Sequence, residues 1–401
     1  MPLKKKIFLV TALLYILYTI FPLFADRINI PVWLPSIAVV VVMVSLYPKA
    51  LANKTFYWFL VYAVVLGIYV LIGKHLTIGI GNIVDRKKIL IEFAYILPTV
   101  CIFCITYYLK DDILNKRIIN WSILILYVSF VVAIPLMLRY SSLRAALAEK
   151  GDSFHVTGLP GYSLMHAYVL FLPVVAYGIK MLDGRKKIWS LLGLLVLCFV
   201  IYDTFVTTSL VVMIAILMFA VFYSEKHKTL FLLFSILLLF LVIILYKEGF
   251  FISFIDWIMP AFDGTAVEPK LLDFKASMLE GELTGGSITD RQNLHAISWN
   301  SFFQNPIFGT SIVGNHSALV DRFGGMGIVA GLPFLLIITS FIQQMKKLYS
   351  TKLAKVYYGL GIIAGFVFLY QKGIWGCESW LMYMVLMPIG LLVIERTTIV
   401  K

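Results

Sequence analysis

Apolar runs of roughly 16–22 residues recur along this chain from residue 7 to residue 394. No other feature limits its fold so strongly. A helix needs about 20 apolar residues to cross the ~30 Å of hydrocarbon in a bilayer, and it satisfies its own backbone N–H and C=O groups while doing so. A series of such runs makes the chain an all-α polytopic membrane protein. A β-barrel is excluded, because its strands would alternate apolar and polar residues over ~10-residue segments. The composition agrees. The chain is 61% hydrophobic and 14% charged, where a soluble domain carries roughly 45–50% and about 25%.

The runs predict about twelve transmembrane helices, near 7–24, 31–47, 55–73, 89–109, 118–138, 162–181, 188–202, 205–223, 229–246, 325–344, 356–371 and 375–394. The stretch 188–223 is too long for one span and is divided at Asp203, a charge expected to face inward or to be paired. The opening MPLKKKIFLVTALLYILYTIF has a signal peptide's basic and apolar regions. No small-x-small cleavage site follows, so an uncleaved first helix is expected. Cys101 and Cys104 form CxxC without a second pair or a nearby His, so helix packing is expected there in place of a metal or redox site. Cys198 also lies in an apolar run and Cys377 has no close partner, so no disulfide is expected.

The formal charge of +13 would suggest nucleic acid in a soluble protein. Here it reports topology, because Lys and Arg collect in cytoplasmic loops, and no aromatic-plus-basic module for nucleic acid is present. With the N-terminus inside, the inner segments hold 20 of the 34 Lys and Arg in roughly 55 residues, and the other 14 are spread over roughly 135 residues outside. Both termini are therefore expected in the cytoplasm.

Three outer segments follow: 74–88, 139–161 and 247–324. The chain divides into helices 1–9 (1–246), a large and partly helical extracytoplasmic loop (247–324), and helices 10–12 (325–401). Loops of this length in a compact protein are functional or disordered. Within the large loop, LLDFKASMLEGEL (271–283) has helical spacing and Gly285-Gly286 breaks it. SITDRQNLHAISWNSFFQ (287–304) predicts a second helix, with Ser287 and Asp290 close to a capping box and with Leu294, Ile297 and Phe302 near one side. NPIFG (305–309) ends it. No internal repeat is visible, which argues against a transporter built from repeated halves.

The outer segments carry more basic charge than orientation favours: Arg86, Lys87 and Lys88, then Arg139 and Arg144, then Arg291 and Arg322. Such side chains can snorkel to headgroups. They can also bind an anion, since Arg holds phosphate bidentately and several together neutralise a diphosphate. A lipid-linked diphosphate presents its phosphates at this depth. Arg291 and His295 are four apart on the predicted loop helix and share a face. In GNHSALVDRF (314–323), His316 follows Gly314-Asn315, where a helix can start with Asn315 as N-cap. A His there can accept a proton near neutral pH, or it can simply bond a neighbouring backbone group. Asp321 falls on another side of a straight helix and can pair with Arg322 or another outer Arg. Gly324, Gly325, Gly327 and Gly331 allow close backbone approach. HExxH, outer-loop DxD, Walker A and GxSxG motifs are all lacking, so neither a metal nor another cofactor is expected.

GNHSALVDRFGGMGIVAG resembles the motif of the bacterial O-antigen polymerase and O-antigen ligase superfamily, in which His-Ser or His-Asn precedes an acidic residue and then Gly, between a large outer loop and the next membrane helix. His316-Ser317, Asp321, Gly327 and Gly331 carry the likeness. The upstream DRQNLHAISWNSFFQNPIFGTSI is similar to that family's Arg-led helix ending in Asn-Pro-x-x-Gly, and Thr207-Thr208-Ser209 opens helix 8 as in the family. The ligases' Asn-Pro-Asn element is replaced by VTGLPGYSLMHAY, which leans towards polymerase. The resemblance implies a GT-C-like membrane glycosyltransferase without metal. Its substrates would be oligosaccharide repeat units on undecaprenyl diphosphate, joined at the outer face of the bacterial cytoplasmic membrane, with a polysaccharide chain-length regulator as a further partner. His316 is then the base and Arg291 the foremost diphosphate ligand. Arg86, Arg139, Arg144, His295, Asp321 and Arg322 are candidates for substrate binding. The competing readings are a ligase moving glycan to a lipid A core, a flippase for lipid-linked sugars, and a rod-shape-type peptidoglycan polymerase using Asp290 or Asp321.

Overall fold

The computed structural model describes residues 1–21, 33–72, 82–83, 86–139, 161–203, 207–223, 249–263, 287–371 and 376–399, with residues 244, 268, 271, 272 and 275. The apolar runs are helical throughout these stretches. In chain order they are α1 Leu3–Ile20, α2 Trp33–Leu46, α3 Lys54–Ile72, α4 Arg86–Leu109 and α5 Asp112–Arg139. Then come α6 Tyr162–Met181, α7 Gly184–Asp203, α8 Thr207–Phe222, α9 Phe250–Ile258 and α10 Ser287–Gln304. The chain ends with α11 Val320–Lys346, α12 Lys352–Gln371 and α13 Cys377–Ile399, the last with a π-helical turn at Met382–Leu386. One short antiparallel pair joins β1 Asn82–Ile83 to β2 Ile312–Val313.

Among the described residues six helices are long and apolar enough to cross a membrane: α3, α5, α6, α11, α12 and α13. Shorter apolar helices occupy Trp33–Leu46, Phe93–Leu109, Thr208–Phe222 and Phe250–Ala261. The protein is an all-α membrane protein. The expected division of 188–223 is present: α7 leaves from the turn after α6 and the end of α8 returns to that same end, where Lys180 donates to the Tyr223 carbonyl; residues 204–206 lie outside the described residues. The expected helix 229–246 lies, apart from residue 244, outside the described residues, as do 140–160 and 74–81 of the outer loops and most of 271–283.

Burial separates central helices from peripheral ones. α6 packs against α7, α8, α12 and α13. In α6 and α13, 83% of the span is buried, against 33% in α3 and α5. α3 is apolar all round, yet it splits by helical spacing. Phe56, Phe59, Tyr62, Leu66 and Tyr69 face the bundle, while Tyr57, Leu60, Val64, Ile68 and Leu71 are exposed. An exposed stripe that is itself apolar has lipid for solvent. Cys101 and Cys104 are buried in the same core.

α3 is also bonded to α11 at three depths. Near the start of α3, the Gln344 amide donates to Thr55 Oγ1 at 2.8 Å and the Ser340 hydroxyl to the same oxygen at 3.0 Å. In the middle, Arg322 Nε donates to Tyr62 Oη at 2.9 Å. Near the end of α3, the Tyr69 hydroxyl donates to the Met326 carbonyl at 2.8 Å.

Polar ties identify the two ends of the bundle. Lys5 at the start of α1 pairs with Asp111 in the α4–α5 turn, and Asp112 pairs with Arg396 near the end of α13. Glu395 accepts the Ser350 N–H of the α11–α12 turn at 3.0 Å. Asn53, before α3, donates to Gln344 at 2.8 Å. Tyr177 of α6 and Tyr357 of α12 lie 5.3 Å apart between ring centroids, and Lys180 donates to the Tyr223 carbonyl just after α8. The Lys- and Arg-rich turns therefore share one end, the basic end. α10, the β pair and the start of α11 lie at the other.

Asp111 also caps α5, accepting the Ile113 and Leu114 N–H groups at 3.0 Å. Its bond from Lys5, followed by the Leu114 N–H, holds its carboxyl below the usual carboxylate range. A carboxyl lowered on folding stabilises the fold above its unfolded value, near pH 4, and the contribution is lost as pH falls through the folded value. The unfolding midpoint of the solubilised protein should fall across that acid window, and Lys5→Gln should shrink the fall. Identical pH profiles for the two proteins would refute the coupling.

Candidate functional site

The site lies where α10 and the segment 305–319 meet the first turns of α11. That helix starts at Val320, not near 325 as the hydropathy predicts. The reason is a local cap. Ser317 Oγ accepts the Val320 N–H at 3.0 Å, and the Asp321 N–H bonds the Ser317 carbonyl at 2.9 Å. Asn315 is not the N-cap that its residue type suggests. It sits at φ 57° and turns the chain ahead of His316.

α11 is broken at Gly327, whose φ of 63° and ψ of −166° are non-helical. The backbone groups freed by the break are taken up by the preceding segment. Ile328 and Val329 donate to the Pro306 and Ile307 carbonyls at 2.8 and 3.2 Å. Thr310 and Ser311 donate to the Gly324 and Gly325 carbonyls at 3.1 and 3.0 Å. A broken helix survives at membrane depth only when protein re-satisfies its backbone in this way. A Cβ on Gly327 would sit 2.2 Å from the Ile307 carbonyl oxygen, so the approach requires glycine. The close backbone contacts anticipated from the glycine cluster are thus present, at Gly327 and also at Gly324, whose Cβ would meet the Ser298 carbonyl at 2.3 Å.

A buried polar network fixes the site's floor. The Ser298 hydroxyl donates to Asp321 Oδ1 at 2.6 Å and accepts the Gly314 N–H at 2.9 Å. The Ser317 N–H donates to Asp321 Oδ2 at 2.9 Å. The Ser317 hydroxyl and the Leu319 N–H both bond the Leu369 carbonyl of α12, at 3.3 and 3.1 Å. Asp321 therefore clamps α10 to the His316 segment. It makes no ion pair with Arg322, and the side chains of the outer arginines Arg86, Arg139, Arg144 and Arg291, the other partners expected for it, lie outside the described residues.

His316 stands on this floor, partly exposed. Its ring lies 6.2 Å from that of His295 between centroids, and His295 is buried edge-on against Tyr370 at 4.6 Å. Fold and sequence thus bring His295, His316 and Asp321 together. Arg322 turns the other way. It is buried, donates to Tyr62, and holds its guanidinium 5.3 Å from the Phe334 ring centre. Arg291 is placed in α10 one turn before His295, Arg86 opens α4 three residues after β1, and Arg139 ends α5. The side chains of these three lie outside the described residues, and Arg144 lies wholly outside them.

Three members of the site were not singled out in the sequence. Ser298 had a signal, since it is three residues after His295 and seven after Arg291, on one helical face. Tyr62, the partner of Arg322, and Tyr370, beside His295, had none, because each comes from a distant apolar helix. Among the described residues, no group of three or more His, Cys, Asp or Glu could hold a metal ion.

The arrangement offers the imidazole of a partly exposed residue, with its Nε2 buried, beside a second and buried imidazole, on a hydrogen-bonded platform at the end of the bundle away from the basic turns. An imidazole so placed can take a proton from a hydroxyl presented at the membrane surface. No family model matches the chain, and no curated protein matches it.

Proposed function

We propose that the protein is a polysaccharide polymerase, a metal-independent glycosyltransferase that joins undecaprenyl-diphosphate-linked oligosaccharide repeat units at the outer face of the bacterial cytoplasmic membrane. The observation that carries the reading is the convergence of His316 and His295, 6.2 Å apart, over the Asp321 clamp at the end opposite the basic turns. The positive-inside rule assigns that end to the periplasm and both termini to the cytoplasm. In a GT-C-like arrangement of twelve spans, the change of ends between α8 and α10 falls to the apolar run 229–246, outside the described residues. A chain-length regulator is the natural partner for such an enzyme.

In this mechanism His316 removes the proton from an acceptor sugar hydroxyl. The oxygen forms a bond to the donor's anomeric carbon while the carbon–oxygen bond to phosphate breaks. The electron pair leaves on undecaprenyl diphosphate. Arg291 is the foremost ligand for that diphosphate, with Arg86, Arg139 and Arg144 as further cations, and their charge offsets what develops on the leaving group. His295 stands one turn from Arg291 and completes the binding face.

The test is reconstitution with purified lipid-linked repeat units and separation of the products by length. Wild type should give a ladder. Arg291→Ala should weaken binding of the lipid diphosphate by roughly ten- to a hundredfold, as expected for loss of hydrogen bonds to a charged group. Transfer to a lipid A core without a ladder would replace polymerase by ligase. Unaltered binding by Arg291→Ala would remove that residue from the donor site.

A further inference from the structure

A second site lies at the basic end, away from the histidines. A cavity of about 500 Å³ opens between α5, α6, α7 and α13. Its mouth carries Lys116 from the first turns of α5 and Lys186 from the first turn of α7, both exposed. Among the described residues neither lysine is in an ion pair. The nearby Asp111 and Asp112 are engaged by Lys5 and Arg396. Trp189 stands one turn below Lys186, and its carbonyl accepts the Tyr127 hydroxyl at 2.8 Å across the groove. Beneath them the walls are apolar down to Phe130 and Phe171.

The dimensions matter. From Lys116 to Phe130 along α5 is about 20 Å at 1.5 Å per residue. That distance takes the groove from the headgroup level to about the middle of a ~30 Å hydrocarbon layer. One acyl chain of one leaflet covers the same depth. Two lysines at the rim, an interfacial Trp just below and an apolar shaft to mid-membrane match the three parts of a phospholipid: charged headgroup, glycerol region and tail.

We propose that this groove binds a diacyl phospholipid with an anionic headgroup, drawn from the leaflet that meets the basic end. Lys116 and Lys186 hold the phosphate, and one acyl chain fills the shaft between α5 and α7. The lipid then covers apolar wall that α6 and α13 leave open there. This site is separate from the polymerase reading, and it stands or falls without it.

Native mass spectrometry of the full-length protein, delipidated and then incubated with phosphatidylglycerol or phosphatidylcholine of identical chains, tests the proposal. Wild type should retain phosphatidylglycerol about tenfold more tightly, as expected for two lysines near an anionic headgroup. K116Q/K186Q should bring the two lipids to equal retention, and K116R/K186R should keep the preference. Glycerol 3-phosphate without acyl chains should not compete. Equal retention by wild type, a preference surviving in K116Q/K186Q, or competition by glycerol 3-phosphate would each overturn the proposal.

Discussion

His316→Ala is expected to stop ladder growth, lowering the transfer rate by roughly 10²- to 10⁴-fold, the range that a positioned base contributes. His316 is a partly exposed residue whose Nε2 is buried, and the backbone of its segment is held by bonds at Gly314, Ser317 and Leu319 that an Ala leaves in place. The variant should therefore insert and fold as wild type does. Its effect should fall on kcat, with lipid-diphosphate binding retained, because Arg291 and not His316 is assigned to the donor. A loss confined to KM would reassign His316 to positioning the acceptor. Undiminished ladders would remove it from the chemistry altogether.

Gly327→Val should be strongly damaging to the fold. A φ of 63° with a ψ of −166° is backbone that essentially only glycine adopts, and it costs an ordinary residue roughly 1–3 kcal/mol and a β-branched one more. The new Cβ would also fall 2.2 Å from the Ile307 carbonyl oxygen, a backbone atom that is itself bonded to the Val329 N–H. Relief would require parting 305–310 from α11, exposing backbone groups at membrane depth. A loss of about 3 kcal/mol or more follows. Gly67→Ala is the control, since a Cβ there meets nothing within 4 Å. A Gly327→Val protein that purifies as a monodisperse species with an unchanged unfolding midpoint would refute this account of the break.

The six long apolar helices among the described residues were legible in the sequence, out of the twelve expected, because one physical rule, burial of about twenty apolar residues, generates both pattern and structure. The division near Asp203 and the close packing at Gly324 and Gly327 were legible for similar reasons: a charge in hydrocarbon and a missing side chain each permit few arrangements. The start of α11 was not. Hydropathy marks where the chain becomes apolar, while the helix begins where Ser317 caps it, in polar sequence. Partnerships were the least legible. Asp321 and Arg322 are neighbours, and charge alone would set them together or send both towards an outer anion. The break at Gly327 and the packing of α3 instead give Asp321 to Ser298, 23 residues away, and Arg322 to Tyr62, 260 residues away. Contacts of that range leave no periodicity to read.

The bonds between α3 and α11 limit how this molecule can move. Thr55, Tyr62 and Tyr69 engage α11 at three heights, and sliding one helix by a single residue would displace all of them by about 1.5 Å and break their geometry together. The two helices behave as one registered post. The buried aromatic face of α3 and the Arg322 guanidinium over Phe334 stiffen it. His316 and Asp321 are mounted at the top of that post. α10 is itself tied to the post, by the Ser298–Asp321 bond, by the close approach of Gly324 to the Ser298 carbonyl and by Phe302 edge-on to Phe323, so that α10, His316 and Asp321 are carried together.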